Sequence, residues 1–312
     1  MRILITGATG FIGSALLDRL LAEKHSVVCL SRSAHEDQPG VKWIEHDLVQ
    51  DSWSDIPRFE VDVAYHLAGQ TSTYRARQNP IEDASVNVLG LLNLMAYCRS
   101  LPQPPFVVNA GTATEVGLAK QLPINEATPD QPITFYDISK LAAEMYLMQY
   151  VREGWLRGCS LRLANVYGRR TQGQQADRGI LDKVFGQAAA GGNITIYGDG
   201  SYLRDYLFID DVVSALILAA ENADRTNARH FCIGSGRGVS LKDAFLKVMS
   251  LAADVTGVRA SHEHVAPPAD LSDIERRNAI IDSSAFRQAT GWVPQYDFDA
   301  GLNAAYRSPL SK

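Results

Sequence analysis

The chain has no apolar run long enough to span a bilayer and no tract of basic residues. The first absence excludes a helical membrane anchor, which needs about 20 consecutive apolar residues. The second, with a net charge of -5, leaves no electrostatic footprint for nucleic acid. Cysteine is scarce: Cys29, Cys98, Cys159 and Cys232 are widely separated, and each sits among apolar neighbours. In a chain of 312 residues that spacing reads as reduced core cysteines rather than a disulfide framework, and it points to a cytoplasmic protein. Metal ligands do not gather either. His262-Glu263-His264 puts two imidazoles on one face of an extended segment, but no further ligand follows nearby, so no metal site is expected. Internal repeats and low-complexity segments are absent. The first residues read as a strand of the fold, not as a secretory signal.

What is present is an ordinary globular composition, 46% hydrophobic and 21% charged, enough for one large domain or two. Short apolar runs alternate with helical patterns. Strands are predicted at Arg2–Thr6, Ser26–Leu30, Val41–Glu45, Val61–Leu67, Phe106–Ala110 and Cys159–Leu163, with helices after Gly13, from about Ile81 to Arg99 and from about Thr134 to Arg152. This alternation predicts an α/β fold, a Rossmann-like doubly wound parallel sheet. From Arg169 the pattern changes to short elements broken by glycines. We therefore expect a nucleotide-binding domain of residues 1–168 plus about 205–233, and a smaller C-terminal substrate-binding lobe of about 169–204 plus 234–312.

The organising stretch is Thr6-Gly7-Ala8-Thr9-Gly10-Phe11-Ile12-Gly13, between a clear strand and a clear helix. The first glycine permits a tight turn, the second lets backbone approach a pyrophosphate, and the third lets the helix pack close on the strand. The helix N-terminus then aims its N–H groups at phosphate. In such a sheet the end of the second strand reads the adenosine ribose: a carboxylate there repels a 2′-phosphate, whereas an arginine accommodates it. Here that strand ends Leu30-Ser31-Arg32, so Ser31 and Arg32 predict NADP in preference to NAD.

Tyr136 and Lys140 carry the strongest catalytic signal. On a helix they lie one turn apart on the same face. A cation held there would favour the phenolate over its ordinary pKa of about 10, and the tyrosine could exchange a proton with a carbinol while hydride moves to or from nicotinamide.

The first loop resembles that of the extended short-chain dehydrogenases/reductases, and the resemblance runs nearly end to end. Asn109-Ala110-Gly111-Thr112-Ala113-Thr114-Glu115-Val116-Gly117 is similar to the family's Ser-Ser/Thr-Ala-x-Val-Tyr-Gly stretch, with Thr112 on the catalytic hydroxyl and Thr114 beside it. Two departures stand out: Val116 replaces the tyrosine, and Ala113-Thr114 replaces the Asp-Glu pair of the 4,6-dehydratases, which argues against water elimination. Arg162-Leu163-Ala164-Asn165-Val166-Tyr167-Gly168 and Gly198 to Asp205 resemble the segments that bind a substrate diphosphate, which assigns that role to Asn165 and Arg204. In Arg276-Arg277 one guanidinium is a candidate second phosphate contact, taken as Arg276.

The resemblance implies cofactor contacts from Gly7, Thr9, Gly10, Phe11 and Ile12, from Asp47 and Leu48 at adenine, from Leu67, Ala68 and Gly69 along the cleft, and from Asn87 and Lys140. Asp47 reads equally as a turn-capping aspartate. The implied partners are a nucleotide-diphosphate sugar and a second copy of the chain, with homodimer pairing through the helices that bear Asn87 and Tyr136. The implied activity is an NADP-dependent 4-ketoreductase, with a 4-epimerase retaining NAD as the alternative. A non-catalytic NAD(P)-sensing protein is the remote third reading, disfavoured because Tyr136 and Lys140 are both present.

Overall fold

The computed structural model describes residues 1–168 and 179–307, so most of the polar stretch that opens the expected second lobe lies outside the described residues. The strands, in chain order, are β1 (Arg2–Thr6), β2 (Ser26–Ser31), β3 (Val41–Glu45), β4 (Val63–His66), β5 (Phe106–Thr112), β6 (Arg157–Leu163), β7 (Asn165–Tyr167), β8 (Asn193–Tyr197), β9 (Leu203–Phe208), β10 (Arg229–Ile233), β11 (Gly238–Ser240) and β12 (Ser261–Val265). Seven of them form one parallel sheet in the order β3-β2-β1-β4-β5-β6-β10.

The strand order reverses between β1 and β4, and a crevice opens there beyond the carboxyl ends of the strands. Apolar side chains alternate between two covered faces. Ile3 and Ile5 pack with Leu16 and Leu20 of the helix Phe11–Ala22 and with Val212 and Leu216 of the helix Ile209–Glu221. Leu4 packs on the other face, with Leu94 and Met95 of Gly90–Ser100 and Leu147 of Phe135–Arg152. This is why the strands read as unbroken apolar runs.

The glycine turn is fixed by contact as well as by conformation. Gly7 has φ of 77°, and a Cβ there would sit 2.5 Å from the Ala68 nitrogen. At Gly13 a Cβ would lie 2.1 Å from the Gly7 carbonyl oxygen, so only glycine lets the helix begin this close to the strand.

Two elements differ from expectation. The helix anticipated from Ile81 to Arg99 is divided into Pro80–Ala84, a widened π turn Ser85–Leu89 and Gly90–Ser100, and Asn87 lies in the widened turn. Such turns concentrate where a side chain is needed away from the regular helix face. The return to the main sheet after Tyr206 is made by the helix Ile209–Glu221 and β10. β9 instead pairs with β7 and β11 in a separate three-stranded sheet. A second core of Val184, Ile194, Phe208, Val248 and Leu302 binds that sheet to the helices Ile180–Ala189, Leu241–Thr256 and Phe298–Tyr306 and to the parallel pair β8–β12.

Candidate active site

The first helix, Phe11–Ala22, follows directly on the glycine turn at the carboxyl end of β1, with Gly10 at its N-cap position. Phe11 and Ile12 are half-buried there and Thr9 is exposed. The N–H groups of a helix start suit a pyrophosphate. At the end of β2, Ser31 is half-buried and Arg32 exposed. Asp47 is committed to its own turn, its Oδ1 accepting from the Val49 and Gln50 nitrogens at 2.8 and 3.1 Å, and the Leu48 carbonyl accepts from Asn93 at 2.8 Å. Asn87 is buried and spends its amide on structure. It accepts from the Gln70 nitrogen at 2.9 Å and donates to the Gln70 carbonyl, to Asp83 and to Ser139. It thereby fastens the segment Leu67, Ala68, Gly69 to the tyrosine helix.

Thr134 caps the helix Phe135–Arg152 in a reciprocal box with Asp137, which fixes where the helix starts and so the phase of Tyr136. Thr112 stands at the end of β5, facing the tyrosine. Burial pushes the Tyr136 phenol well above its ordinary value, and the Thr112 hydroxyl, its hydrogen-bonding partner, acts in the opposite sense. The expected acidification by Lys140 is not what dominates here. The Lys140 ammonium reaches across to the sheet and donates to the Ala110 carbonyl at 2.5 Å. Burial pushes its pKa down, against the pull of the Glu115 and Asp83 carboxylates.

Thr112, Thr114, Asn165 and Arg277 line one cavity at this carboxyl edge. Of the paired arginines, between which the sequence does not decide, it is Arg277 rather than Arg276 that lines the cavity. Arg276 is exposed and lies 3.6 Å from Asp273, whereas Arg277 turns inward, 3.5 Å from the Asn165 Oδ1. Arg204 does not line the cavity: it is 2% exposed and donates to the carbonyls of Leu203, Glu275 and Arg277. Its guanidinium therefore holds the loop that presents Arg277. Asp205 does similar work, accepting from the nitrogens of Ser235, Gly236 and Ile281.

Behind the site is a cluster the sequence reading missed. Arg162, 1% exposed, lies 2.9 Å from Glu115, 2.6 Å from Glu144 and 2.5 Å from Asp130. Glu115 also accepts from the Thr112 nitrogen at 2.9 Å, and so ties that threonine to the cluster. Burial first, then Glu144, raises its pKa, while Arg162 opposes them. Glu144 lies one turn beyond Lys140, a signal that was available in the sequence. Val116, where the resembled family has tyrosine, is buried in a small core with Ala113, Ile124 and Ile281. His66, at the end of β4, is buried beside Thr6 at 2.8 Å, and burial pushes its pKa down to about 3.

Comparison with known proteins agrees with this geometry. A model of the NAD dependent epimerase/dehydratase family matches residues 3–234. A UDP-glucose 4-epimerase of Mycolicibacterium smegmatis is 33% identical over 314 residues, covering 97% of this chain and 96% of its own length. Among solved structures, the Thermotoga maritima UDP-glucose 4-epimerase with UDP-glucose is similar at a TM-score of 0.86 with 28% identity, covering 98% of each chain. MoeE5 in complex with UDP-glucuronic acid and NAD is similar at 0.85, also with 28% identity and 98% of each chain covered. No helix among the described residues is long and apolar enough to cross a membrane. A glycine turn at the strand-order reversal, a tyrosine and lysine one turn apart and a threonine facing them thus occur in a chain that belongs to the NAD-dependent epimerase/dehydratase family of nucleotide-sugar enzymes.

Proposed function

We propose that the chain is an NADP(H)-linked 4-ketoreductase of a nucleoside diphosphate sugar. The observation that carries this reading is the meeting of Thr112, Asn165 and Arg277 around one cavity, with Tyr136 opposite Thr112. The bound nicotinamide cofactor would supply hydride to the sugar carbonyl. Tyr136 protonates the resulting alkoxide, and the Thr112 hydroxyl bonds the same oxygen. A phenol held protonated by burial suits a proton donor, and so the reductive direction. Lys140, held on the Ala110 carbonyl one turn from the tyrosine, would hydrogen-bond the nicotinamide ribose. Arg277 and Asn165 hold the diphosphate, where a guanidinium fork matches phosphate oxygens. The replacement of a carboxylate by Ser31-Arg32 at the end of β2 supports NADP.

A second reading, 4-epimerisation with NAD retained, is favoured by the relatives, two of which are UDP-glucose 4-epimerases. The same side chains serve it. We also propose that the chain pairs with a second copy through the two helical segments after β4 and β5, where Ile81, Ile138 and Met145 are 81%, 51% and 63% exposed. Residence in the cytoplasm fits its free, buried cysteines.

The deciding experiment is mass spectrometry of cofactor released from freshly purified protein, followed by NADPH and NADH titrations of the stripped form. An empty protein that prefers NADPH supports the reductase, and retained NAD moves the function to epimerase. Tyr136→Phe should lower turnover by about a hundredfold or more while cofactor still binds; near-normal turnover refutes the tyrosine's role.

A further inference from the structure

The segment between β2 and β3 is exposed from Arg32 to Gly40, yet it is folded back on itself by specific contacts. The Asp37 carboxylate accepts from the Trp43 nitrogen at 2.7 Å, and Gln38 bridges Val41. These bonds return the chain to β3 and bring His35 over the end of β2. The His35 ring packs on Trp43, with centroids 4.4 Å apart and planes at 35°. Its Nε2 lies 3.2 Å from the Ser31 Oγ, which also accepts from the Ser33 nitrogen at 3.2 Å.

The end of β2 therefore gathers a hydroxyl, a main-chain N–H, an imidazole and the Arg32 guanidinium within five consecutive residues. The Ser33 N–H and the imidazole are turned on the Ser31 oxygen, which leaves the hydroxyl proton and the Arg32 guanidinium as the groups that can donate to an anion. Ser31 is the pivot. With one lone pair taken by the Ser33 N–H, a hydrogen bond from the imidazole Nε2–H would leave the hydroxyl proton directed outward.

We propose that His35 is a specificity-determining residue: it orients the Ser31 hydroxyl and, with Arg32, completes a cradle for the 2′-phosphate of an adenine dinucleotide. This deepens the NADP reading and rests on it. Trp43 sets the ring's position by packing, and the imidazole nitrogen orients the hydroxyl that meets the phosphate. The cradle discriminates because a ribose 2′-hydroxyl offers one neutral acceptor, whereas a phosphate offers charged oxygens to several donors at once.

The test uses the intact protein and two cofactor fragments, adenosine 2′,5′-bisphosphate and adenosine 5′-monophosphate, titrated by calorimetry. The parent should bind the bisphosphate more tightly. His35→Phe keeps a ring on Trp43 but removes the nitrogen, and should weaken the bisphosphate about tenfold while leaving the monophosphate within about twofold. His35→Gln, which retains a donor, should recover part of the loss. If His35→Phe leaves both affinities unchanged, or lowers both equally, the proposal is overturned while Arg32 and the NADP reading stand. If the parent itself does not distinguish the two fragments, the proposal and the NADP preference fall together, and the roles of Tyr136 and Arg277 are untouched.

Discussion

Replacing Arg162 by methionine removes the guanidinium that Glu115, Glu144 and Asp130 share, leaving His230 at 3.5 Å from Glu144 and the more distant Lys140 as the basic groups near the cluster among the described residues, and the cost follows from the exposure of its partners. Asp130 is 36% exposed at its side chain and can turn to water when the guanidinium is gone. Glu115 and Glu144 cannot, at 0% and 4%. Two enclosed carboxylates are left without their counter-charge, a change that typically costs about 3–5 kcal/mol. With an unfolding entropy of about 2.1 cal/mol/K per residue over 312 residues, that is a drop in Tm of roughly 5–8 °C. The pH dependence separates this mechanism from simple loss of packing. A carboxyl whose folded pKa lies above its unfolded value contributes stability that is fully present below the unfolded pKa, about 4.3, and is lost as pH rises through the folded value. Glu115 is already raised by burial and by Glu144, with Arg162 opposing. Removing Arg162 raises it further, so the variant's deficit should be large at about pH 8 and shrink toward about pH 5. Urea unfolding of parent and variant at the two pH values measures it. A deficit under about 1 kcal/mol, or one equal at both pH values, refutes the reasoning.

Three further outcomes follow from the same geometry. Burial lowers the His66 pKa to about 3, below its unfolded value, so its contribution is present above about pH 6.5 and is lost as pH falls toward 3, on the order of 5 kcal/mol in all. His66→Gln should flatten the acid limb of the stability profile, and an unchanged limb in urea titrations would show that other groups set it. Arg277→Ala should weaken UDP or dTDP binding by about tenfold or more in calorimetry, while Arg276→Ala stays near the parent; equal losses would return the phosphate contact to both. Gly13→Ala forces a methyl against the Gly7 carbonyl, and should cost about 3 kcal/mol or more and abolish NADPH binding. A variant with unchanged Tm and affinity would mean that the turn can open.

Much of the nucleotide-binding sheet was legible in the chain. Its strands are buried on both faces and therefore appear as apolar runs, as at Ile3-Leu4-Ile5, and its glycine turn carries a local signature, Gly13 against the Gly7 carbonyl, although the contact of Gly7 with Ala68 belongs to the packed sheet. Tyr136 and Lys140 were legible for the same reason, since one helical turn fixes their relation. Roles that depend on residues far apart in sequence were not. Nothing in Arg276-Arg277 says which guanidinium faces inward. That is decided by Arg204, about seventy residues earlier, whose donors hold the carbonyls of Glu275 and Arg277. Nor could Arg162, Glu115, Glu144 and Asp130 be read as one cluster, because they come from a strand, two separate helical segments and a loop, and only the Lys140–Glu144 spacing was visible locally. The sequence by itself determined the periodicities, and hence the elements and the short motifs they carry. The tertiary structure decided which charged groups were enclosed together and which faced the cavity, because desolvation and pairing depend on neighbours that only the packed sheet and helices bring within reach.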